Sequence, residues 1–159
     1  MTPDDCLSTL IRPALQHVPV YDTARAEVML LAIALQESGL ATRVQDGNGP
    51  AHGFWQFELP SAVVDFVRSG RSDIKVEVVR RGFPLNAVAL WRTIAVSLGD
   101  AVACLLARDR LYRLIPEALP ELGDLTGAWQ QYVRAWGPGK PSPARWDEVY
   151  PVALETVQA

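Results

Sequence analysis

Residues 24–38, ARAEVMLLAIALQES, leave a folding chain little choice. On a 3.6-residue repeat, Val28, Leu30, Leu31, Ile33, Ala34 and Leu35 fall on nearly every side, so a helix here has almost no polar face. Such a helix is stable only when other elements surround it, because any bare side leaves apolar area in water. Asp22-Thr23 supplies its cap and Gly39 its stop. Glu27 and Gln36 bracket the apolar run, which therefore falls short of membrane-spanning length. The expectation is a helical bundle built around one central buried helix. A chain of 159 residues suits a single domain over 1–159, large enough to hide roughly 70% of its unfolded surface.

The flanking sequence supplies the surrounding helices. Thr2-Pro3-Asp4-Asp5 opens one, and Pro13 is expected to bend or end it. Residues 40–52 hold Asp46-Gly47-Asn48-Gly49-Pro50, a dense set of turn signals. Residues 53–59 fit a short strand or a helical turn. Pro60 opens a helix through Val67 with Val63, Val64 and Val67 inward. Ile74-Lys75-Val76-Glu77-Val78 alternates like a strand but also fits a short helix, the preferred reading. From Pro84 a long helical stretch groups Val88, Trp91, Ile94 and Ala95, with a break or new cap at Gly99-Asp100. Asp124 caps a helix carrying Ala128, Trp129, Tyr132, Val133 and Trp136. Ser142-Pro143 begins the last helix, with a bend expected at Pro151. The expected fold is mainly α, with a small irregular or β excursion lining a cleft. Cys6 and Cys104 lie in apolar helical patterns and are expected as buried free thiols.

The net charge of −3 argues against nucleic acid as a partner, since phosphate binding needs a basic face. MTPDDC begins acidic and lacks the basic-then-apolar pattern of a secretory signal, so cytoplasmic synthesis without membrane insertion is expected. The two histidines, His17 and His52, lack metal-ligand spacing. No metal or cofactor is expected.

Glu37 is the leading candidate for chemistry. A carboxylate at a helix C-terminus faces the negative end of the dipole, and apolar neighbours penalise its charge further. Both favour the protonated form, which can donate to a leaving oxygen as a general acid. An isolated Glu in the last turn of a helix is more often a plain surface residue, so the surroundings decide. A polar, Gly-rich loop follows, and then the compact aromatic element Gly53-Phe54-Trp55-Gln56-Phe57.

Glu37-Ser38, a polar loop and Gly53-x-x-Gln56 together resemble the signature of lytic transglycosylases and goose-type lysozymes. In that family a helix ends in Glu-Ser, and a Gly-Leu-Met-Gln element lines the cleft. The resemblance covers Leu35 to Phe57. Downstream, Trp129-x-x-Tyr132 and Trp136-Gly137-Pro138-Gly139 are similar to the family's later Tyr-Asn element and Gly-Pro-Gly. Two departures stand out: Trp55 replaces the Met, and Val133 replaces the Asn after Tyr132. The arrangement also resembles small proteins of bacteriophage and prophage genomes.

The resemblance implies a lysozyme-like fold and cleavage of the β-1,4 bond between N-acetylmuramic acid and N-acetylglucosamine in peptidoglycan. Glu37 would be acid and then base. Ser38, Phe54, Trp55, Gln56 and Tyr132 would bind substrate, with Phe54 and Trp55 stacking on sugar faces and Tyr132 bonding Glu37. A transglycosylase needs one essential carboxylate, whereas a hydrolase wants a second, and Asp46 and Glu58 are the nearest choices. Delivery to the wall would be by a holin or within a phage particle. The alternative is a lysozyme-like virion or assembly protein with weak or no activity, acting as a scaffold for other virion proteins.

Overall fold

The structure, a computed structural model, describes residues 1–159. Helix α1 (Pro3–Asp5) runs through a π-helical turn (Cys6–Ile11) into α2 (Arg12–Leu15). Then come α3 (Ala24–Ser38), the strands β1 (Ala51–His52) and β2 (Phe57–Glu58), and a second π-helical turn (Leu59–Val63) leading into α4 (Val64–Ser69). The chain continues with α5 (Ser72–Arg80), α6 (Ala87–Thr93), α7 (Asp100–Leu114), α8 (Leu125–Trp136) and α9 (Pro143–Gln158). The protein is mainly helical, with one two-stranded antiparallel sheet.

Helix α3 lies at the centre. Every residue from Val28 to Ala34 is at most 1% exposed. The Thr23 hydroxyl accepts from the Ala26 amide at 3.2 Å, and Gly39, at φ +62°, donates its N–H to the Leu35 carbonyl. Helix α9 packs along α3 and buries Trp146, Tyr150 and Ala153, while α8 touches α3, α7 and α9. Helix α7 is a second buried rod, with Val102 to Ala107 inside. Cys6 and Cys104 are both buried and free. No single helix is long and apolar enough to cross a membrane.

Pro13 and Pro151 both lie in helices that run on past them. Pro13 does not end the first helix. The turn before it widens, so that the Arg12 amide reaches the Leu7 carbonyl five residues back, and the Ser8 and Thr9 hydroxyls return to the Asp4 and Asp5 carbonyls. A π turn gives the pyrrolidine ring room that a regular α turn lacks. Pro151 sits inside α9, which continues to Gln158. The carbonyl it deprives belongs to exposed Asp147, where water can replace the missing donor.

Helix wins over strand at residues 72–80. Ile74 and Val78, four apart, are fully buried, whereas Val76 and Val79 are exposed. Glu77 is clasped by Arg80 and Arg81 at three- and four-residue spacing, which only a helix brings together. In the Pro60 helix, Phe66 takes the core position, and Val64 and Val67 are only half-buried. The long stretch after Pro84 is two helices meeting at 117°. Asn86 caps the first, Leu90 and Ile94 are buried, and Val88 is exposed. The corner depends on Gly99, where a Cβ would stand 2.3 Å from the Thr93 carbonyl oxygen.

The excursion between α3 and α4 is a small hairpin. Ala51 pairs with Glu58 and His52 with Phe57, and Val44 bridges to His52. Positive φ at Gly53 (+78°) and Gln56 (+52°) turns the chain between the strands.

Candidate active site

Glu37 reaches its position because α3 ends one turn after its last fully buried stretch. Gly39 then turns the chain aside, leaving the carboxylate half-buried on the wall of a groove of about 760 Å³. That volume falls within the roughly 300–1,000 Å³ of small-molecule sites. The groove is mostly polar. Gln36 and Glu37 of α3 line it, with Thr42, Gln45 and Asp46 from the loop and Gln56 to Glu58 from the hairpin. Arg110 of α7, Tyr132 and Trp136 of α8, the Gly137–Lys140 segment and Arg145 of α9 complete it.

The Tyr132 hydroxyl donates to Glu37 Oε1 at 2.6 Å. Tyr132 is held in place by its surroundings. Asp124 caps α8 by accepting from the Gly127 amide, and the Tyr132 ring stacks on Trp146 at 5.0 Å and 10°. Burial, with its hydrogen bond to Glu37 next, raises the phenol's pKa, so it remains a neutral donor. Burial also raises the Glu37 carboxyl above the usual range, while the Tyr132 hydrogen bond and the Arg145 charge pull it partly back. The site thus combines a carboxyl biased toward protonation with a fixed donor on one oxygen. Oε2 has no hydrogen-bond partner within the chain, so it is the oxygen free to hold and deliver a proton.

The other sequence-derived candidates divide. Gln56 lines the groove, its Nε2 bonded to the Gly53 carbonyl at 2.9 Å and its Oε1 without a protein partner. Ser38 does not line the groove. Its hydroxyl reaches the Ala34 and Phe54 carbonyls at 3.0 and 2.8 Å and accepts from the Leu40 amide, fastening the end of α3 to the hairpin. Phe54 and Trp55 point into the core, at 2% and 0% exposure. The Arg43 guanidinium covers the Phe54 ring at 4.4 Å, and Trp55 Nε1 donates to the Leu30 carbonyl at 2.9 Å. Stacking of these two rings on a sugar face does not fit this placement, because the turn at 53–56 rotates both inward. Asp46 and Glu58 both lie on the groove and are exposed.

The groove's aromatic surface comes instead from half-buried Trp136, whose ring stacks at 5.8 Å on that of buried Phe57. Trp136 Nε1 is anchored to the Trp55 carbonyl. Sequence inspection also missed the roles of Arg110 and Arg145. The one available signal was the Ser142 cap three residues before Arg145, which places that side chain in the first turn of α9. From there it donates to the Leu35 carbonyl at the end of α3.

His52 is structural, stacked on Trp91 at 3.9 Å with Nδ1 at the Trp91 carbonyl. Cys104 is fully buried, which raises its thiol pKa and leaves it unreactive. No group of three or more His, Cys, Asp or Glu side chains is arranged to hold a metal ion. No family model matches this chain, and neither a curated protein nor a solved structure does.

Proposed function

We propose that this chain is a lysozyme-like lytic transglycosylase that cuts the β-1,4 bond between N-acetylmuramic acid and N-acetylglucosamine in peptidoglycan. The observation that carries the reading is Glu37: a half-buried carboxyl with raised pKa, on the wall of a polar groove, with the Tyr132 hydroxyl 2.6 Å from Oε1. Glu37 Oε2 gives its proton to the glycosidic oxygen as the bond to the muramic acid C1 breaks. The C6 hydroxyl of the same sugar then bonds to C1, and its proton returns to the Glu37 carboxylate. Acid and base are one residue, and no water is consumed. Tyr132 holds the carboxyl in position and stabilises the anion formed midway. Trp136 offers apolar surface to a sugar, and Arg110, Lys140 and Arg145 offer positive charge to an anionic wall polymer.

The test is release of soluble fragments from purified peptidoglycan. The wild type is expected to release them, and Glu37→Gln to be slower by about 10²–10⁴-fold, the usual contribution of a general acid. A folded wild type that leaves several wall types intact would overturn the reading and favour the scaffold alternative.

A further inference from the structure

The other end of α3 carries an arrangement that the proposed chemistry does not use. Arg108 of α7 is 6% exposed, yet it forms no ion pair. Its Nε donates to the Tyr21 carbonyl at 2.7 Å, and its guanidinium lies over the Tyr21 and Tyr112 rings at 5.4 and 5.9 Å. Nη1 is buried with no hydrogen-bond partner at all. A buried cation with an unmet donor is costly, and such groups are normally paired.

Arg108 lines a cavity of about 610 Å³ together with Thr23, Ala24, Arg25, Leu119, Glu121 and Leu122. Thr23 is the cap of a 15-residue helix. Its own hydroxyl satisfies the Ala26 amide, while the Ala24 and Arg25 amides make no hydrogen bond within the chain. Free amides at the start of a long helix, beside an unpaired guanidinium, form an anion-binding set. Arg25 is already engaged by Glu121 and the Leu119 carbonyl, so it adds little. Of the nearby acids, Glu27 is clasped by Arg12 through two hydrogen bonds and Glu121 is held by Arg25, while Asp22 lies near Arg108 without forming an ion pair with it. Leu119 and Leu122 give the cavity an apolar side.

We propose that this cavity binds a small organic oxyanion, its charged head on the Arg108 guanidinium and the Ala24 and Arg25 amides and its apolar body against Leu119 and Leu122. Helix α3 rises about 1.5 Å per residue, so this site lies about 20 Å from Glu37. It shares no lining residue with the groove. It is a second site, independent of the glycan reading.

The test titrates the full chain with benzoate, phenyl phosphate and inorganic phosphate, following the Arg25 amide by NMR and the heat by calorimetry. At least one organic probe is expected to bind saturably, tighter than inorganic phosphate, and to shift the Arg25 amide. Preference for benzoate identifies a carboxylate ligand, and preference for phenyl phosphate a phosphate ester. Two variants keep the fold. Ala24→Pro removes one amide donor at a position where proline suits a helix start, after a Thr23 already extended at φ −134°. Leu122→Glu puts a charge on an exposed part of the rim. Each is expected to weaken binding roughly tenfold, the equivalent of one charge-assisted hydrogen bond. No saturable shift with any probe, inorganic phosphate binding as tightly as the organic anions, or wild-type affinity in both variants would overturn the proposal.

Discussion

At the scale of single residues, the ionisation of Glu37 links stability to chemistry. Burial raises its carboxyl above the unfolded value, so the folded chain keeps a proton that the unfolded chain has already released. Ionising Glu37 therefore works against folding. The penalty is absent below the unfolded pKa, grows between the two values and is complete above the folded one. Glu37→Gln keeps an acceptor for Tyr132 but cannot ionise. It is expected to raise stability near neutral pH by about 1 kcal/mol, the size common for one stabilising change, and to lose that advantage in acid. Thermal melts of both proteins across that range check this. Tyr132→Phe works in the opposite sense to the native contact. The Tyr132 hydrogen bond lowers the Glu37 pKa, so its removal raises it. The alkaline limb of the activity profile should move to higher pH, with a drop in rate from a less well-held carboxyl. The Glu37–Tyr132 pair, 95 positions apart, was legible only through the family resemblance, since nothing local in either segment points to the other.

At the scale of elements, helices with both a cap and a stop were readable and the short hairpin was not. Thr23 and Gly39 bracket α3 in sequence as they do in space. Residues 53–59 gave no such bracket. Their side-chain directions depend on positive φ at Gln56, a conformation uncommon for a residue with a side chain. The choice of Phe54 and Trp55 over Trp136 as groove aromatics followed from that. The join between α3 and the hairpin rests on Ser38, whose hydroxyl bonds the Phe54 carbonyl. Ser38→Ala is expected to cost about 1–3 kcal/mol, the penalty for leaving a buried acceptor unmet, and to lower activity by loosening Gln56 against Glu37. Denaturant unfolding and glycan release measure the two effects. Trp136→Ala is expected to raise KM more than it lowers kcat, because the ring offers binding surface and carries no proton.

At the scale of the whole molecule, one core drawn from Cys6 to Ala153 holds the groove's parts in register. Chemistry from α3, α8 and α9 meets the hairpin only because α6 and α7 turn a sharp corner beneath it. Gly53 packs against that corner, where its Cβ would stand 3.3 Å from the Ile94 carbonyl oxygen. Gly99-Asp100 marks the break in the sequence, but the 117° angle of the corner depends on backbone contact between Gly99 and Thr93 rather than on any apolar pattern. Gly99→Ala forces a methyl group against that carbonyl and is expected to destabilise the fold by about 1–3 kcal/mol, measured by calorimetry. The central claim is that one carboxyl, Glu37, serves as both acid and base. The most direct measurement is mass spectrometry of the fragments released from purified peptidoglycan by the wild type and by Glu37→Gln. The expected result is 1,6-anhydromuramic ends, each one water lighter than a hydrolysed end, from the wild type and no more than a trace from the variant in the same time. Reducing ends would contradict the single-carboxyl account and direct attention to Asp46 and Glu58, and anhydro ends released by Glu37→Gln at the wild-type rate would remove Glu37 from the chemistry altogether.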